Sequence, residues 1–133
     1  MKRIKAALLT AAVVAGMTVA ATPAQATSYC NVGGGTFICE YAMSATTLPD
    51  GTKQEFGIGT DRAVWTRWTN SSGGWTSWTS MGGEWYSAAA IRTQEVYPYL
   101  FCLVAKGSDG WLWADCRDNG GNWTGWSHLP DPS

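Results

Sequence analysis

The chain has 133 residues, 45% of them hydrophobic, with nine tryptophans, sixteen glycines, four cysteines and one histidine. Three of its nine basic residues fall in the first five positions, which leaves six against ten acidic ones, a net charge of −4, in the remainder. No basic run is left, which excludes nucleic acid and anionic membranes as expected partners.

The first segment reads as a secretory signal peptide spanning 1–26. Lys2, Arg3 and Lys5 precede an apolar run from Ala6 to Ala21, and Ala24 and Ala26 make an Ala-x-Ala cleavage signal. Nothing later resembles a stop-transfer segment, so no membrane span is expected. Residues 27–133, about 107 in number, then form one secreted, extracellular domain.

All four cysteines lie in that domain, and an even count in a small exported chain points to two disulfides. In "CNVGGGTFIC" a turn at Gly34-Gly35 sets Cys30 opposite Cys39 across a hairpin. In "CLVAKGSDGWLWADC" a loop from Ser108 to Gly110 pairs Gly107 with Trp111 and so Cys102 with Cys116. A metal site is the rival reading, but the spacing matches no zinc pattern and His128 stands alone near the end.

Helical periodicity is absent, and runs of β-branched and aromatic residues sit between glycines, so the fold class is all-β. In the first half the pattern predicts strands near Thr36–Met43, Lys53–Ile58, Ala63–Thr69 and Trp75–Ser80. In the second half it predicts Glu84–Ile91, Tyr99–Lys106, Trp111–Cys116 and Trp123–His128. Asp61 in "GTDRA" and Asp109 in "GSDGW" read as turn formers that bond their own backbone.

These two sets are one unit repeated. At an offset of 48 residues, 10 of 48 positions are identical, among them Gly59/Gly107, Asp61/Asp109, Trp65/Trp113, Trp75/Trp123 and Trp78/Trp126. The repeats run from about 34 to 81 and from 82 to 129, each a four-stranded antiparallel blade-like sheet. Val64, Thr66 and Trp68 share one face of their strand, as do Leu112, Ala114 and Cys116, and this is read as the core face. Trp65 with Arg67, and Trp111 and Trp113 with Asp115, fall on the other. Apolar groups on both faces call for a neighbour on each side. The two sheets therefore either pack as a disulfide-stapled sandwich or join in a homo-oligomer, a trimer or tetramer that completes a ring.

The unit "FGIGTDRAVWTRWTNSSGGWTSWTSMGG" resembles the blade of β-propeller lectins of the Photorhabdus luminescens fucose-binding lectin type. That family repeats a Gly-Thr-Asp-x-x-Leu-Trp hairpin, a Gly-Trp-x-x-Trp strand and a Leu-Gly-Gly ending. The matching residues are Gly59-Thr60-Asp61 with Val64-Trp65, Gly74 to Trp78, and Met81-Gly82-Gly83. In the second copy they are Gly107-Ser108-Asp109, Leu112-Trp113, Trp123 to Trp126 and Leu129. The resemblance implies a partial β-propeller that binds fucose-like or methylated sugars between blades. This chain departs from it in having two blades instead of about seven, and in placing Cys102 and Cys116 where the first copy has Gln54 and Trp68.

Carbohydrate binding suits the composition, since the C–H faces of sugar rings stack on flat aromatic surfaces. The candidate ligand-binding residues are Trp65, Trp75, Trp78, Trp113, Trp123 and Trp126. In a regular strand Trp75 and Trp78, three apart, point to opposite faces, so at most one of them lines a given pocket. No nucleophile elbow, paired-histidine metal motif or phosphate loop is present, so neither an enzyme nor a cofactor is expected. Asp115 with Asp118 is the nearest approach to an acidic pair, and Asp118 with Asn119 the nearest to a Ca²⁺ site. Two other readings stand beside the lectin: an adaptor docking its sheet faces onto a larger extracellular protein, and a small secreted inhibitor.

Overall fold

The computed structural model describes residues 27–93 and 99–130. The signal-peptide segment assigned above lies outside them. Among the described residues the chain is all-β, with three antiparallel sheets and two disulfides.

Strands β1 (Tyr29–Val32) and β2 (Gly35–Ile38) form the N-terminal hairpin. Its turn is Gly33-Gly34, with φ of 52° and 83°. Positive φ at both central positions is what a type I′ turn requires to match the strand twist. The turn thus sits one residue before the expected Gly34-Gly35, and Cys30 faces Phe37 instead of Cys39. Cys39 lies one step beyond the strand, where its N–H donates to the Ser28 carbonyl. The Cys30–Cys39 disulfide still closes, across Cα atoms 5.3 Å apart.

The first four-stranded sheet holds β3 (Ser44–Thr47), β4 (Lys53–Ile58), β5 (Val64–Trp68) and β6 (Thr79–Gly82), in that order. The second holds β7 (Ala90–Thr93), β8 (Phe101–Lys106), β9 (Leu112–Arg117) and β10 (Ser127–His128), again in sequence order. The two inner strands of each sheet agree with expectation to within about two residues. The outer ones do not. Thr36–Met43 and Glu84–Ile91 are not first strands: β3 starts at Ser44 and β7 at Ala90. Phe37 and Trp85 instead make single bridges to Gly59 and Gly107 and tuck their rings into the core.

The fourth strands also begin late, at Thr79 and Ser127 instead of Trp75 and Trp123. The reason lies in two threonines. Thr76 Oγ1 accepts the Trp68 N–H at 3.0 Å, and Thr124 Oγ1 accepts the Cys116 N–H at 3.1 Å. A side-chain hydroxyl takes the place of a ladder carbonyl, so the backbone swings out of register there.

Phe56, Ile58 and Val64 meet Phe101, Leu103 and Ala105 in one core between the sheets, with Phe56 and Phe101 ring centroids 6.0 Å apart. Leu103 pairs with Asp115 and Ala105 with Trp113, so these residues share a face. The face of sheet two that meets sheet one is therefore the Trp113 face. The expected core face of sheet two, with Leu112, Ala114 and Cys116, is the one turned away. The sheets stack in the same sense, like consecutive steps, and do not close into a ring.

The Trp65 face of sheet one has its own cover. The N-terminal hairpin lies over it, with Phe37 against Gly57 and Gly33 against the Arg67 guanidinium. On the outward face of sheet two, Cys102 and Cys116 are cross-strand partners bonded to each other, where sheet one has Gln54 opposite Trp68. Phe56 and Ile58 are matched there by Val104 and Lys106, smaller and charged. Capping units of repeat stacks carry changes of this kind on their outer face.

Candidate functional site: paired aromatic pockets at the Gly-Asp turns

The offset of 48 residues recurs in atomic detail at the turns joining the inner strands. Gly59 N–H donates to the Ala63 carbonyl, and Gly107 N–H to the Trp111 carbonyl, both at 2.9 Å. Asp61 Oδ1 accepts the Ala63 N–H, and Asp109 Oδ1 accepts the Trp111 N–H, each at 3.0 Å. Both aspartates are turn formers, as the sequence indicates. They also do something the sequence did not reveal. The same Oδ1 accepts the indole N–H of Trp65 at 3.0 Å and of Trp113 at 3.3 Å.

Each indole is thereby laid flat along its turn. A Cβ on Gly59 would stand 2.6 Å from the Trp65 ring, and one on Gly107 would stand 2.9 Å from that of Trp113. Only glycine allows that approach.

A second aromatic wall faces each turn. Trp78 Nε1 donates to the Val32 and Gly33 carbonyls at 3.0 and 3.2 Å, and Trp126 Nε1 donates to the Met81 carbonyl at 2.9 Å. Trp78 packs on Phe37 at 4.6 Å, and Trp126 on Trp85 at 4.3 Å. The result is two equivalent open pockets of about 500 and 370 Å³. The first is walled by Phe37, Trp65 and Trp78 with Asp61 on its rim, the second by Trp85, Trp113 and Trp126 with Asp109. The first lies in the seam between hairpin and sheet one, the second in the seam between sheets one and two.

Every indole N–H in these walls is satisfied inside the protein, so the tryptophans offer faces and edges only. The polar function falls to the aspartates, each with one oxygen committed to the turn. Asp61 Oδ2 accepts no bond from a described residue and is available to a ligand hydroxyl. Asp109 differs. The Trp111 N–H, and then the Trp113 indole and His128, hold its carboxyl below the usual carboxylate range. His128 Nε2 lies 3.6 Å from Asp109 Oδ2, and its ring lies 4.8 Å from Trp113 and 5.1 Å from Trp111. Sequence alignment of the repeats sets His128 on Ser80, so the first pocket has no histidine.

The six candidate tryptophans are thus divided. Trp65 and Trp78 meet in the first pocket, Trp113 and Trp126 in the second. Trp123 packs edge-on against Phe56 and Phe101, at 5.9 and 5.6 Å, and lines a separate cavity of about 520 Å³ in the seam between the sheets. Trp75 lies in none of these hollows. It is exposed, with the Arg67 guanidinium 4.2 Å from its ring centroid. Trp78 is 4.8 Å from the same guanidinium, so the two tryptophans do not point to opposite faces. The alternation expected of a strand fails because residues 76–78 are not in one.

The suggested acidic pair does not form. Asp115 is buried, 3% exposed, whereas Asp118 is an exposed turn residue. Asp118 Oδ1 accepts the N–H groups of Gly120 and Asn122, both at 2.9 Å, so it serves as a turn acceptor. Among the described residues no three His, Cys, Asp or Glu side chains gather as metal ligands. No helix there is long and apolar enough to cross a membrane. Phe37 and Trp85 escaped the sequence reading as site residues. Their equivalence at the repeat offset was the signal that could have found them. No protein-family model and no curated protein matches the chain.

Proposed function

We propose that the chain is a secreted carbohydrate-binding module that holds a sugar in each of the two turn pockets. The observation that carries this reading is the duplication of one arrangement, aromatic wall, indole floor and rim carboxylate, by residues 48 apart. A fold needs no such duplicate hollows for stability, whereas a sugar needs an apolar wall for its C–H face and a fixed acceptor for its hydroxyls. The two disulfides suit an oxidising extracellular setting. A fucose-like or methylated sugar, with more apolar edge than glucose, suits walls this rich in tryptophan.

The adaptor reading needs bare sheet faces, and the hairpin covers one of those it would use. Ring assembly of three or four copies would have to bury the outward face of sheet two, where Lys106 and the Cys102–Cys116 disulfide stand. A glycan array on the oxidised mature chain tests the proposal. Binding to a defined set of glycans, lost in the folded Trp65→Ala/Trp113→Ala variant, is expected. No retained glycan at all would overturn it.

A further inference from the structure

The two seams also differ away from the turns, and there the charge is inverted. In the hairpin seam Arg67 projects beneath the hairpin, its guanidinium 4.2 Å from the Trp75 ring and its Nε 2.8 Å from Glu55 Oε1. Forty-eight residues on, the seam between the sheets has Asp115 for Arg67, Leu103 for Glu55 and Trp123 for Trp75. The cation is gone and a cavity of about 520 Å³ has opened beside Trp123. It lies at the ends of the strands away from the Gly-Asp turns, and Met81, whose carbonyl accepts the Trp126 indole N–H, separates it from the second aromatic pocket.

Asp115 is left in an unusual state. It is 3% exposed, it lines the cavity, and its Oδ1 accepts the Gly125 N–H at 2.9 Å, with the Thr124 hydroxyl and the Cys116 N–H beside the same carboxyl. No cation pairs with it among the described residues. Arg117 also lines the cavity, but its Nη1 donates to the Tyr99 and Asp118 carbonyls at 2.9 and 3.1 Å. A buried carboxylate without a countercharge is costly, and burial accordingly pushes its pKa up. The exposed Trp68 and the half-buried Trp123 line the same cavity and offer aromatic surface to a cation beside Asp115.

We propose that this cavity binds a small organic cation, an ammonium or guanidinium group that sits against Asp115 beside Trp123, as Arg67 sits against Glu55 beside Trp75. None of the residues lining this cavity lines either sugar pocket. An amino sugar with a free ammonium carries the required group, as does a simple guanidinium.

Titration of the oxidised chain with methylguanidinium and with glucosamine, followed by tryptophan fluorescence and calorimetry, tests the assignment and separates the two cation types. Saturable binding of at least one is expected. Asp115→Asn keeps an acceptor for the Gly125 N–H and is expected to weaken binding tenfold or more. Trp68→Ala, at an exposed position, is expected to weaken it severalfold. Trp65→Ala/Trp113→Ala removes walls of the sugar pockets and is expected to leave cation binding intact, so failure of one site is distinguishable from failure of the other. N-acetylglucosamine, which lacks the charge, serves as the control, and any binding it shows is expected to be indifferent to Asp115→Asn. Absence of binding by both cations, or equal binding by Asp115→Asn, would overturn the assignment.

Discussion

The Arg67 guanidinium lies 4.2 Å from the ring centroid of Trp75, held there by its bond to Glu55. This pair anchors the N-terminal hairpin, because the turn residue Gly33 rests against the same guanidinium. Arg67→Ala removes the stacking and leaves Glu55 half-buried without its partner. A loss of about 2 kcal/mol is expected, and Arg67→Lys restores only part of it, since an ammonium lacks the planar surface. Urea unfolding measures both, and an unchanged midpoint for Arg67→Ala would rule out this anchoring role.

The Cys102–Cys116 disulfide closes the outward face of the second sheet. Cys102→Ser/Cys116→Ser is expected to lose about 3 kcal/mol, the loop-closure value for a segment of this length. A sharper test rebuilds the first sheet's face there with Cys102→Gln, Cys116→Trp and Lys106→Ile. That variant gives sheet two the stacking residues of sheet one, and concentration-dependent self-association in sedimentation velocity is expected. A variant that stays monomeric at all concentrations would show that the disulfide is not what ends the stack.

Stability should respond to pH in two opposed ways. The carboxyls of Asp109 and Asp118 are held low, chiefly by the N–H groups of Trp111 and Asn122. Their contribution is present above the unfolded carboxylate pKa and is lost as pH falls through the lower folded values. Asp115 runs the other way, because burial raises its pKa. Its folded state is favoured at low pH, and that advantage is lost as pH rises through the raised value. Asp115→Asn is therefore expected to melt higher than the parent at pH 7, with the gap closing toward about pH 3, below the usual aspartate range. A parent that is the more stable of the two at neutral pH would contradict the burial argument.

Asp118 and Asn70 hold equivalent turns. Asn70 Oδ1 accepts the N–H groups of Ser72 and Gly74 at 3.0 and 2.9 Å, as Asp118 Oδ1 does for Gly120 and Asn122. Asp118→Asn should thus lower the thermal midpoint at pH 7 only slightly, losing the charge-assisted part of the two bonds, while Asp118→Ala lowers it further by orphaning two donors. Equal effects from the two substitutions would mean that the carboxylate charge, not the acceptor geometry, holds the turn.

Much of this was legible in the sequence wherever local chemistry decides. The Gly-Asp turns set the register of β4 with β5 and of β8 with β9, and so the pairing of Cys102 with Cys116. What escaped depends on contacts between units. The register of the N-terminal hairpin turned on which two of three consecutive glycines take positive φ, and these are Gly33 and Gly34. Trp75 and Trp78 broke the alternation rule because Thr76 replaces a ladder partner, which no periodicity count registers. Asp115 reads as a surface acid at the end of a strand. Only the same-sense stacking of the sheets puts it in the seam.

The central claim is that one sugar-binding pocket is built twice. Calorimetric titration with the glycan most strongly retained on the array tests it directly, with parent, Trp65→Ala, Trp113→Ala and the double variant compared. The account predicts two sites per chain in the parent, one in each single variant and none in the double, with all four folded by near-ultraviolet circular dichroism. A single site in the parent, or undiminished stoichiometry in the double variant, would contradict it.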